Sequence, residues 1–137
     1  MFAGMLLFLI GIASGLAVGL FQNPRLAVSG HLEGVLNGMF LLIVGLIWPR
    51  LALGDRARKI AFALVLFGTY ANWALTMLGA AWGTKKLTPI AGAGYESAPW
   101  QETAMTVGLS VMVVAMAVGV GLLAWGLRRE LTPPARA

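Results

Sequence analysis

The chain has 137 residues, 59% of them hydrophobic and 11% charged, less than half the roughly 25% charge of an ordinary soluble domain. That balance excludes a small water-soluble core and predicts an integral membrane protein, and the absence of cysteine excludes disulfides and thiolate-held zinc or iron–sulfur centres. The net charge is +5, but the basic residues fall in short segments between apolar runs, which argues for membrane orientation and against a nucleic-acid partner.

The first apolar run, Met1 to Pro24, carries no charge and predicts a span over 4–21. It lacks a basic leading segment and is long for the apolar part of a leader, so it reads as a span rather than a cleaved signal. A second span over 29–48 reaches the roughly 20 residues that a bilayer core requires only by taking in His31 and Glu33. The charge-free runs Ile60–Thr84 and Thr103–Leu127 predict spans over 60–83 and 103–127. The expected fold is therefore all-α: one integral-membrane four-helix bundle, a single domain over 1–137, with no internal repeat. Arg50, Arg56, Arg58 and Lys59 in the 49–59 linker and Arg128, Arg129 and Arg136 in the tail lie on one side of such a bundle. By the positive-inside rule that side, with both termini, is cytoplasmic, and the location is the cell's inner membrane. The segment 130–137, "ELTPPARA", is expected to be a flexible tail. The 84–102 connection is long for a small bundle and suits a lid or a disordered segment, with Tyr95 and Trp100 as interface anchors.

Polar residues inside spans are costly and mark functional sites by default. His31, the chain's lone histidine, is followed six positions later by Asn37, about 9 Å further along a helix, while Glu33 turns about 200° away from it. Thr69, Asn72 and Thr76 form one polar stripe on the third span, edged by Tyr70 and Trp73. Counted from the helix ends, Asn37 and the Asn72–Thr76 stretch fall at similar depth. Each residue has two readings. His31 is either an axial metal ligand or an interfacial imidazole bonded to water, and Glu33 is either a working carboxylate or one at the headgroups. The Thr69/Asn72/Thr76 stripe either does chemistry or bonds neighbouring helices. Gly34 and Gly38 make a small-xxx-small pair, which predicts a close helix contact within or between subunits.

"NPR" at 23–25, "HLEGVLNG" at 31–38, Trp48-Pro49, "GTYANW" at 68–73 and "AAWG" at 80–83 resemble the small four-helix membrane proteins that include hydroxylaminobenzene mutase and styrene oxide isomerase. The resemblance implies ferric haem b at the subunit interface of a homotrimer. It makes His31 the iron ligand, with Gly34 and Gly38 at the cofactor. It matches Asn37 and Asn72 to asparagines that place the substrate, and beside them Tyr70 and Thr76 complete the expected catalytic set acting on a small aromatic substrate. Where the isomerase pattern carries an aspartate and a tyrosine around the third-span motif, this chain has Gly68 and Thr76. That departure favours the mutase branch, which converts an aryl hydroxylamine to a 2-aminophenol, with the haem iron as Lewis acid. Beside this isomerase stand aryl epoxide isomerisation, a haem protein for electron transfer or sensing, and a small exporter. The last expects a carboxylate in the first helix, where this chain has none.

Overall fold

The computed structural model describes residues 1–128, so the expected tail at 130–137 lies outside the described residues. Four helices run through it: α1 (Phe2–Leu16), α2 (Pro24–Ile47), α3 (Asp55–Trp82) and α4 (Pro99–Leu127), with 3₁₀ turns at Val18–Leu20 and Trp48–Arg50. No strand occurs among the described residues. The all-α, four-helix expectation is met, and α2, α3 and α4 are long and apolar enough to cross a membrane.

The helix ends differ from those expected. The first helix stops at Leu16 instead of reaching 21. Ala17 N–H folds back on Ser14 O (3.1 Å) and Leu20 N–H on Ala17 O (2.9 Å), tightening the chain into a 3₁₀ turn. The other three helices start early, because polar first turns and caps escape a hydropathy reading. α2 begins at Pro24, whose missing N–H costs nothing at the first helical position. Asn23 caps it by accepting the Leu26 N–H at 3.1 Å. α3 begins at Asp55, a carboxylate in the first turn where the helix dipole favours it. α4 begins at Pro99, and the Gln101 side chain accepts the Ala98 N–H at 2.8 Å.

Asn23 is fully buried and ties three segments together. Besides capping α2, its N–H donates to Ala80 O near the end of α3 (2.9 Å), and its Nδ2 donates to Ala91 O in the following loop (2.9 Å). The same loop is held by the Arg25 guanidinium, which donates to Ala93 O and lies over the Tyr95 ring at 5.5 Å. At its other end Glu102 accepts the Lys85 and Lys86 N–H groups (2.9 and 3.0 Å) and the Ser97 hydroxyl (2.7 Å). The 84–102 connection is thus a strapped loop, with Tyr95 engaged by Arg25 and Trp100 set edge-on against Trp82 at 5.1 Å.

The helices pack in chain order, α1 on α2, α2 on α3 and α3 on α4. Lipid gives little drive for apolar helices to associate, so close backbone contact carries the packing. A Cβ on Gly34 would lie 2.5 Å from Gly11 Cα, and one on Gly4 would lie 2.9 Å from Gly38 O. The small-residue pair therefore makes its close contact inside the chain, with α1. Leu7, Leu41, Val44, Leu51, Ala61, Val65 and Leu123 form the main apolar core. Outward faces carry large apolar side chains such as Leu9, Ile43 and Val114, as lipid-facing surfaces do.

Two outcomes follow. Gly34→Val should lower unfolding stability in detergent by about 2–3 kcal/mol through overpacking, whereas Gly121→Ala, whose Cβ meets nothing within 4 Å, should cost nothing. Asn23→Ala should cost about 1–2 kcal/mol and speed protease cleavage within 84–98, read by mass spectrometry of the fragments.

Candidate active site

His31 lies about two turns into α2 and turns toward α1. Its Nδ1 lies 2.8 Å from Gly11 O. A carbonyl only accepts, so Nδ1 carries the proton and the neutral ring keeps its lone pair on Nε2. The ring rests on the last turn of α1, where a Cβ on Gly15 would come 2.6 Å from Nδ1. Gly11 O also accepts the Ser14 hydroxyl at 2.7 Å, and Ser14 Oγ takes the Trp73 indole N–H at 3.5 Å. One carbonyl on α1 thereby links His31 of α2 to Trp73 of α3.

Two residues further on, Glu33 points to the other side of α2, toward α3. Asn37 Nδ2 donates to Glu33 Oε2 at 3.4 Å, and Asn72 Nδ2 donates to the same oxygen. All three side chains are half-buried. The similar depth expected for Asn37 and Asn72 is thus realised, with a carboxylate between them.

The remaining predicted site residues lie elsewhere. Tyr70 directs its hydroxyl to Ala3 O on α1 (2.8 Å), and its ring packs on the main core. Thr76 donates to Asn72 O of its own helix (2.8 Å) and lines a cavity of about 20 Å³ with Leu26, Thr84, Thr88, Glu102 and Met105. Thr69 is fully buried and donates back to Val65 O (2.9 Å). The stripe therefore divides, and only Asn72 joins the carboxylate cluster. Gly34 and Gly38 are buried, covered by Gly11 and Phe8 of α1.

A larger cavity, about 230 Å³, opens beside the start of α1 and is lined by Gly4, Leu41, Trp48, Phe62 and Leu66 among others. Its walls are apolar, and neither His31 nor the amide cluster reaches it. The strapped loop sets Ala91 against the buried Leu26, Ala27 and Ala80 near the start of α2, and none of its residues joins the amide cluster.

Among the described residues no three His, Cys, Asp or Glu side chains gather to hold a metal ion. His31 alone would serve as a protein ligand to a haem iron, through Nε2. Ligating histidines commonly give their second ring N–H to a carbonyl, which fixes the tautomer, and His31 does so. His31 lines neither of these two cavities.

Glu33, open in the sequence between a working carboxylate and one at the headgroups, lies between the two amides. The signal was present, because Glu33 and Asn37 stand four apart and share a helix face. Gly11 and Ser14 on α1 carried no comparable signal.

The chain is similar to known proteins over most of its length. The chain is 46% identical over 134 residues to hydroxylaminobenzene mutase HabB of Ectopseudomonas oleovorans, spanning 97% of this chain and 80% of that protein. It is 42% identical over 128 residues to hydroxylaminobenzene mutase HabA of the same organism, spanning 93% and 95%. No solved structure matches. The family described as styrene oxide isomerase matches residues 1–128, all of the described chain. With two mutases among its relatives and a polar cluster set between apolar helices, this chain is an enzyme of the isomerase and mutase class and belongs to the styrene oxide isomerase family.

Proposed function

We propose that the chain is an intramembrane mutase that converts an aryl hydroxylamine to the corresponding 2-aminophenol. The observation that carries this reading is the meeting of two amide side chains, Asn37 and Asn72, between apolar helices, in a chain so similar to two mutases. Substrate and product are isomers, so no electrons enter or leave. The N–O bond breaks with its pair on oxygen, and oxygen returns to the ortho carbon. The proton lost from that carbon is matched by one gained at nitrogen.

The chain's own residues supply position and shelter. Asn37 and Asn72 hydrogen-bond the hydroxylamine group in a medium of low dielectric, where such bonds count for more. The apolar helix faces around them keep bulk water from capturing the cationic intermediate at random. Tyr70 and Trp73 are engaged with α1 and hold the scaffold that aims His31. His31, with Nδ1 bonded to Gly11 O, offers Nε2 as the single protein ligand to a ferric haem b. When bound, that haem would supply a Lewis-acid position for the substrate's oxygen or nitrogen. Gly34 and Gly38, beneath α1, support the helix that carries this ligand. By the chain's resemblance to the isomerase pattern, the reading includes a homotrimer with the haem between subunits. It also places the enzyme in the inner membrane with both termini cytoplasmic, after the Arg and Lys residues near 50–59.

The second reading, isomerisation of an aryl epoxide to an aldehyde, is favoured by the family match. Purified enzyme should convert phenylhydroxylamine to 2-aminophenol without added oxidant or reductant, and faster than it isomerises styrene oxide. The reverse order, read by chromatography of products, selects the second reading. His31→Ala should abolish the haem Soret band and lower turnover at least about 100-fold, the scale expected when a principal catalytic electrostatic group is removed. A full Soret band in that variant overturns the ligand assignment.

A further inference from the structure

We propose that Glu33 is the positioning residue of this site: its carboxylate takes an Nδ2–H from Asn37 and from Asn72, and so turns both Oδ1 carbonyls outward as paired acceptors for a guest's N–H or O–H donors. The inference rests on the mutase reading and specifies how its amides recognise the substrate.

An asparagine side chain left alone is ambiguous, since its amide presents a donor or an acceptor after a half-turn about its last bond. An oxygen that already accepts both Nδ2–H groups removes that freedom, because it has no donor to offer an Oδ1. Both Nδ2 groups meet the same oxygen, Glu33 Oε2, and among the described residues no protein donor is recorded at either Oδ1. Two acceptors, one from α2 and one from α3, match the two donors of an aryl hydroxylamine.

The alternative, that Glu33 merely joins α2 to α3, has little to explain. That pair already packs closely without it. Gly30 rests on Met77 and Gly34 on Trp73, while Leu26, Ala27 and Ala80 form a buried apolar cluster. A carboxylate within a span is costly, and this helix contact has no structural need of one. It also lies on the face of α2 away from His31, which bonds to α1. The two polar groups therefore do separate jobs.

Binding of aniline and of N,N-dimethylaniline to the purified protein, corrected for partition into detergent, reads the acceptors without turnover. The two rings match, and only aniline has N–H donors. Wild type is expected to prefer aniline about fivefold, the scale of one net hydrogen bond. Glu33→Leu should bring the ratio near one, and Glu33→Asp, which keeps the charge but withdraws it by one methylene, should lose most of it. Glu33→Gln keeps an acceptor carbonyl at the same reach and should retain part. A purely structural role would weaken both ligands together and leave the ratio alone. If Glu33→Leu fails to fold, Glu33→Asp carries the test. An unchanged ratio in the variants that fold, or no preference in wild type, overturns the proposal. A preference that behaves as expected in a protein inert toward phenylhydroxylamine would instead overturn the mutase reading.

Discussion

The approach of α1 to α2 through glycine sets the rest of this structure. Gly11 and Gly34 leave no room for a Cβ between the two backbones, and that spacing brings the Gly11 carbonyl within reach of the His31 ring. The same carbonyl takes the Ser14 hydroxyl, which in turn takes the Trp73 indole. In lipid such contacts are the main means of holding helices, because burying apolar surface against apolar surface gains little over the lipid itself. The tautomer of the histidine is thus a consequence of backbone packing between α1 and α2, on the side of α2 away from Glu33.

α2 is the organising element because it is polar on two sides. His31 turns to α1, and Glu33, two positions later, turns to α3. A helix advances about 100° per residue, so this spacing alone divides the span into a face for an imidazole and a face for a carboxylate. The division keeps the acid and the base from pairing with each other. Such a pair would draw both groups away from the partners they now hold.

Much of this was legible in the residues. The apolar runs announced four helices, and the depth match between Asn37 and Asn72 was implied by counting along α2 and α3. The helix starts were less visible, since Asn23, Asp55 and Pro99 act through caps and dipoles rather than hydropathy. The polar stripe misled because same-face spacing says nothing about which neighbour each member meets. Thr69 is buried by packing, Thr76 turns to a small cavity under the loop, and only Asn72 finds the carboxylate. Tyr70 was read beside the amides, yet its length carries its hydroxyl to the first turn of α1. The long loop could not be read as ordered, because Asn23 and Arg25 hold the Ala91 and Ala93 carbonyls from far back in the sequence, and Glu102 gathers groups from the loop's two ends.

The early stop of α1 decides what kind of backbone the imidazole meets. The helix ends at Leu16, one residue beyond the Gly15 against which the His31 ring leans, and the chain turns at once through Val18–Leu20. The last carbonyls of a helix have no intrahelical partner, and here a 3₁₀ turn takes up those of Ser14 and Ala17. The ring therefore leans on a closed corner of the chain, flanked by the exposed Leu16 and Leu20, rather than on the middle of a continuous rod.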